Sequence, residues 1–270
     1  MITVSGLYRY PIKSCRGHSL TEATLDARGV VGDRRLMLVD AEGEFLTQRE
    51  LPRMALIAPS LDGDLLTVRS PGVDELRVRC TGGGPRVEVT IWRDLCVAVD
   101  QGQESADWFR AILGVPCRLV GMADEHVRRV NAKYARRPDD QTAFTDGFPL
   151  LLMSEASLED LNRRLPAPLP MNRFRPSVVV RGCDPYAEDG WGGGAIRIGS
   201  LELDVVKPCE RCVITTNDQD TSEFGLEPLR TLATYRRRPG GGVMFGQNLV
   251  HRGPGTMRVG DRLEVLEPGS

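Results

Sequence analysis

At 270 residues the chain is long enough to bury one large hydrophobic core or two modest ones. Apolar residues make up 41% and charged residues 27%, ordinary proportions for a globular protein, and a net charge of −2 provides no overall field to recruit nucleic acid or anionic lipid. The first twenty residues hold Arg9, Lys13 and Arg16 without an apolar segment, and no apolar run approaches the roughly 18 residues of a membrane-spanning helix, so neither a signal peptide nor a membrane span is expected.

The first hundred residues read as short strands separated by turns. The segments "MITVSGLYRYPIKS", "RRLMLVDAEGEFLTQR", "DLLTVRS", "ELRVRC" and "RVEVTIW" are rich in β-branched and apolar residues, and Asp40–Gly43 and Asp62–Gly63 carry turn chemistry. A helix fits "ESADWFRAILG", where Trp108, Phe109, Ile112 and Leu113 share a face and Gly114 ends it. Residues 121–142 are polar and poorly patterned, and read as a connection or mobile loop. A second helix is predicted at Ser154–Leu165, with Ser154 or Ser157 as N-cap and Leu158, Leu161 and Leu165 as its buried stripe. Strands follow in "SVVVRG", "AIRIGSLELDVVK" and "CVITT". A short helix with Pro228 in its first turn is expected near Glu227–Tyr235, and "GTMRVGDRLEVLE" reads as a closing hairpin turning at Gly260–Asp261. Many short strands and few helices predict an α+β, β-rich fold, barrel-like rather than doubly wound, with a division near residue 118.

Seven scattered cysteines, an odd number, fit a reducing compartment, and the expected location is cytoplasmic. Two of them stand three positions apart in "VVKPCERCVITTNDQD", at Cys209 and Cys212. A structural zinc site wants a second such pair, and Cys183 and His251 are the nearest candidates. A thioredoxin-type pair wants a following helix, whereas Val213–Thr216 favours a strand. A third use is one thiolate offered to a metal that a cofactor brings, with Lys207 and Arg211 favouring the thiolate. Small core fillers remain the plain alternative.

A cofactor needs anchors, and arginine forks and lysine ammonium groups are the usual partners of phosphate. Lysine is scarce here, three against 32 arginines, which draws notice to Lys13 and Lys207. Lys13, Ser14 and Arg16 stand together in "YPIKSCRG"; Arg34 and Arg35 open "GDRRLMLVD"; Thr47 and Arg49 lie in "LTQRE". "NRFRP" adds Asn172, Arg173 and Arg175, with Pro176 favouring an extended backbone at Arg175. The glycine clusters at 190–195 and 238–243 lack the ending of a phosphate loop and read as turns. There is no G-x-S-x-G elbow, no GxGxxG and no Walker motif, and only three histidines.

These segments, together with "FTDGFPLLLMSEASLEDLN", "FGQNLV" and "GTMRVGD", resemble the MOSC family, named for the C-terminal domain of molybdenum cofactor sulfurase. The resemblance spans almost the whole chain. It is nearest to members with an N-terminal β-rich domain, among them the mitochondrial amidoxime-reducing component and its bacterial relatives. It implies a MOSC barrel at 119–270 packed with an associated β-rich domain at 1–118. It implies a molybdopterin-type molybdenum cofactor, with Cys212 as the metal ligand and Cys209 a neighbour without a direct bond. Lys13, Ser14, Arg34, Arg49 and Arg175 would hold the pterin and its phosphate, and Asp146 in "FTDGF" would lie beside the metal and its water. The implied activity is two-electron reduction of small N-hydroxylated substrates. Because the chain ends at Ser270 without a ferredoxin-like domain, electrons are expected from a separate ferredoxin or flavin reductase. A sulfur-carrier role, with a persulfide on Cys212, is the alternative the same family offers.

Overall fold

The computed structural model describes residues 1–267. Alternating and continuous runs of valine, leucine and isoleucine fold into a closed barrel. Its ring order is Val178–Arg181, Leu150–Ser154, Val243–His251, Leu201–Arg211, Ala195–Ile198, Arg262–Glu267 and Ile2–Arg9, and the first strand of the chain pairs back onto Val178–Arg181. Neighbours are antiparallel except Leu150–Ser154 and Val178–Arg181. That parallel pair needs a crossover, which the helix Glu155–Arg164 provides. Ser154 Oγ caps this helix by accepting from the Ser157 N–H at 3.2 Å, as its sequence position predicts. The barrel interior is filled by Val4, Leu7, Leu152, Val178, Ile196, Leu203 and Leu249, among others, all essentially without solvent contact.

Between the first barrel strand and the others in sequence lies a four-stranded antiparallel sheet, ordered Leu36–Val39, Arg118–Met122, Asp94–Asp100, Arg86–Ile91, with a three-stranded sheet at Ala58–Asp62, Leu65–Arg69 and Leu76–Arg79. The helix Gln103–Leu113 packs Phe109, Ile112 and Leu113 into the core between them and ends at Gly114 in the left-handed conformation. The strand starting at Arg118 therefore belongs to the N-terminal sheet, while Ile2–Arg9 belongs to the barrel.

Three local expectations change. The segment "CVITT" is not a strand: Val213–Thr216 is a 3-10 turn, with the Thr215 and Thr216 hydroxyls donating back to the carbonyls of Cys212 and Val213. The closing segment is not a hairpin. Gly255–Arg258 pairs with Glu22–Asp26, and Arg262–Glu267 pairs with Ala195–Ile198 and Ile2–Thr3, because the bend at Val259–Asp261 sends the two strands to different sheets. The polar stretch 121–142 is tied down by a short ladder between Arg128–Arg129 and Gln141–Thr142.

Candidate cofactor site

The long strand Leu201–Arg211 carries two register shifts, between Val205 and Lys207 and between Pro208 and Glu210. Such bulges bend a strand and re-aim its side chains. Here they carry "PCERC" over one end of the barrel. The partner strand answers with Gly246 at φ +85°, where a Cβ would stand 2.9 Å from the Leu152 carbonyl oxygen.

A cavity of about 240 Å³ opens at this end. Lys13, Ser14, Arg34, Arg49, Asp146, Arg175 and Cys212, the residues that the sequence singles out, all line it. They arrive from six segments of the chain. Lys13 and Ser14 follow the first barrel strand, in a loop joined to the N-terminal sheet by the Lys13 N–H donating to Leu36 O at 2.8 Å. Arg34 precedes that sheet's strand Leu36–Val39, and Arg49 lies in a turn where its N–H donates to Thr47 Oγ1 at 3.1 Å. Arg175 follows the 3-10 turn Met171–Phe174, and Cys212 follows the bulged strand. Asp146 sits in a loop fixed by buried Arg128, whose Nη1 donates to the carbonyls of Ala143 and Thr145 at 2.9 and 2.7 Å.

Backbone strain concentrates here. Ser14 (φ 64°), Arg34 (φ 45°) and Arg175 (φ 55°) line the cavity in the left-handed region, and Trp92 (φ 60°) stands beside it. An extended Arg175 was expected from Pro176. The left-handed conformation also avoids the clash that proline imposes on the right-handed helical region, and it places Arg175 over the Tyr10 ring at 4.4 Å. Arg34 lies over the same ring at 4.3 Å and is paired with Asp33 at 2.6 Å. Burial pushes the Tyr10 hydroxyl up to about 12, and its O–H donates to Pro176 O at 3.1 Å.

Lys13 Nζ donates to Asp146 Oδ1, and Trp92 Nε1 donates to the same oxygen at 3.3 Å. Asp146 lines the cavity with 62% of its side chain exposed. Desolvation opposes its ionisation, but the Lys13 ammonium, with Arg49 and Trp92, outweighs that and holds the carboxyl well below the usual carboxylate range. The two sulfurs differ in company. Arg49 Nη2 stands 3.5 Å from Cys212 Sγ, whereas Arg211 Nη1 donates to Cys209 Sγ at 3.0 Å.

The lining carries seven cations (Lys13, Arg34, Arg49, Arg173, Arg175, Lys207, Arg211) against two carboxylates (Asp146, Glu210), in a chain whose net charge is −2. Concentrated positive charge of this kind selects an anionic ligand. Among the described residues, no three His, Cys, Asp or Glu side chains converge to hold a metal by themselves. What the cavity presents instead is a thiol among anion-binding groups. That donor set fits a soft metal delivered on an anionic carrier. Sequence reading passed over Trp92 and Arg128. An isolated Trp after a strand and an arginine in a polar stretch carry no local signal, since each acts through Asp146.

Two family models match the chain: the MOSC N-terminal beta barrel domain over residues 1–116 and the MOSC domain over residues 139–264. Mitochondrial amidoxime-reducing component 1 of Homo sapiens is 36% identical, covering 98% of this chain and 83% of its own length. The Mus musculus protein of the same name is also 36% identical, over 98% of this chain and 82% of its own. Mitochondrial amidoxime reducing component 2 of Homo sapiens is 35% identical, over 87% of this chain and 72% of its own.

Proposed function

The chain belongs to the MOSC family, alongside the mitochondrial amidoxime-reducing components, and from that premise we propose that it is a molybdenum-cofactor oxidoreductase reducing N-hydroxylated compounds. The observation that carries this reading is the convergence of the Cys212 thiol with a cation-rich wall on one cavity. Cys212 would be the protein's ligand to the metal. Lys13, Ser14, Arg34, Arg49 and Arg175 would hold the pterin and its phosphate through charge-assisted hydrogen bonds. When bound, such a group supplies two-electron oxygen-atom chemistry.

Converting an N–OH to an N–H consumes two electrons and two protons and releases water. Asp146, held ionised by Lys13, is the acceptor that orients the hydroxyl or a water; it is not the proton source. Lys13 Nζ, in contact with it, would supply one proton, to the departing oxygen, and solvent water in the open cavity would supply the second, to the nitrogen. Trp92 Nε1 fixes the carboxylate from the far side.

The electrons come from a separate protein of the ferredoxin or flavin reductase class. Five cysteines outside the motif pack into or against hydrophobic clusters instead of gathering around a second redox centre. All seven are free, which supports a reducing compartment, the cytoplasm in our reading. No helix among the described residues is long and apolar enough to cross a membrane. The test is benzamidoxime reduction by chemically reduced holoenzyme, with molybdenum measured in the same samples. Cys212→Ala should abolish turnover and Cys209→Ala should spare most of it. Equal loss in both variants, or turnover in a molybdenum-free preparation carrying a Cys212 persulfide, would overturn the reading.

A further inference from the structure

We propose that Asp189 is a positioning residue for the strand end that presents Cys212, acting through Gln247 and Arg236. The inference rests on the reading above only in taking Cys212 as the metal's ligand. Between Pro208 and Glu210 the strand Leu201–Arg211 loses register with its partner, Val243–His251. Pro208 stands opposite Gln247 and Glu210 opposite Met244, so Cys209 alone faces Phe245 and Gly246. The partner strand therefore holds the extra residue at this shift, and Gly246, at φ +85°, takes the left-handed conformation that such a bulge requires. Pairing resumes at Glu210 and Arg211, and Cys212 follows directly. The angle of the chain at the bulge thus sets where the Cys212 sulfur stands.

Asp189 grips the partner strand on both sides of the bulge. Its Oδ1 accepts from Gln247 Nε2 at 2.8 Å, and its Oδ2 pairs with Arg236 Nη2 at 2.6 Å. Arg236 passes the hold on: its Nε donates to Met244 O at 3.1 Å, and its backbone carbonyl accepts from the Met244 N–H at 3.0 Å. Asp189 itself stands on a fixed platform, the 3-10 turn Ala187–Trp191. Trp191 packs into the barrel core. Ser157 Oγ, from the crossover helix, donates to Glu188 Oε1 at 2.7 Å and accepts from the Tyr186 N–H at 2.8 Å. Gln247 has no solvent contact, and among the described residues its Oε1 has no hydrogen-bond partner. The bond to Asp189 is therefore the amide's hold on the rest of the protein. Without that carboxylate a wholly buried amide is orphaned, the situation in which a lost hydrogen bond costs most. The strand then relieves the amide by yielding at the bulge beside it, and the Cys212 segment moves with it.

The experiment compares full-length wild type with Asp189→Ala, Asp189→Asn and Asp184→Ala, the last removing an exposed carboxylate of the same loop. Benzamidoxime kcat per bound molybdenum should fall at least about fivefold in Asp189→Ala with KM unchanged, the population shift expected from orphaning a buried amide. Asp189→Asn, which keeps an acceptor for Gln247 and guards against a folding failure, should recover most of that loss. In cofactor-free protein, hydrogen exchange read by mass spectrometry should speed up by a similar factor over residues 209–216 in Asp189→Ala, while the helix Gln103–Leu113 exchanges as in wild type. Asp184→Ala should match wild type in both measurements. Unchanged kcat in Asp189→Ala, an equal loss in Asp184→Ala, or exchange that rises alike in 209–216 and in Gln103–Leu113, the mark of general destabilisation, overturns the positioning role. If wild type itself never acquires molybdenum, the proposed function fails, and the exchange over 209–216 alone decides the role of Asp189.

Discussion

Ser14, Arg34, Trp92 and Arg175 are four of the six non-glycine residues with positive φ among the described residues, and all four stand at the cavity. Each such conformation costs on the order of 1–3 kcal/mol, so the surrounding structure must impose it. The residue types at the site were legible in the sequence: a lysine, arginines and a C-x-x-C motif are visible as such. Their conformations were not, because a left-handed arginine before proline is dictated by the Tyr10 ring and not by its neighbours in the chain. Two predictions belong at this scale. Asp146 has its folded pKa depressed, so its contribution to stability is present above the unfolded carboxylate range and is lost as pH falls below about 4. Thermal melts of the cofactor-free protein should show Asp146→Asn losing less stability than wild type between neutral and acid pH; identical acid limbs would contradict the Lys13 pairing. Burial raises Cys15 to about 12 and Cys96 and Cys117 to about 11. Alkylation of native protein at mildly alkaline pH should therefore mark Cys209 and Cys212 and spare those three, as peptide mass spectrometry would reveal.

At the scale of elements, strands and helices with a strong local pattern were readable. The helix Gln103–Leu113 has its apolar stripe and Gly114 stop, and Glu155–Arg164 has its serine cap. The 3-10 turn after Cys212 was not, since Val-Ile-Thr-Thr has the composition of a strand, and hydroxyl-to-carbonyl bonds within the turn decide otherwise. The bulged strand is the element on which the site depends. Leu203 sits at its inner end, fully buried in the barrel core. Leu203→Ala should cost about 2–5 kcal/mol by denaturant unfolding. A cost under about 1 kcal/mol would mean the barrel end collapses around the gap.

At the scale of the molecule, the cavity is a seam. Lys13 and Cys212 line it together although they lie far apart in the sequence, a juxtaposition that no local pattern encodes. Gln48 locks the seam: its Nε2 donates to Ser14 O at 2.6 Å, and its Oε1 accepts from Asn217 and Gln219 at 3.1 and 3.0 Å. We propose dividing the chain after Met122 and not at 118, with Ile2–Arg9 counted in the barrel, because the strand pairings fall that way. The first strand closes the barrel, the loop after it reaches the N-terminal sheet, and "PCERC" descends from the far side. The proposed function requires Cys212 to be the chain's bond to the metal. X-ray absorption at the molybdenum edge of holo-protein tests it. Replacing Cys212 by serine should strip one sulfur neighbour from the metal, or the metal itself, while Cys209→Ser leaves the sulfur shell intact; an unchanged sulfur shell in Cys212→Ser, or the same loss in both variants, would contradict it.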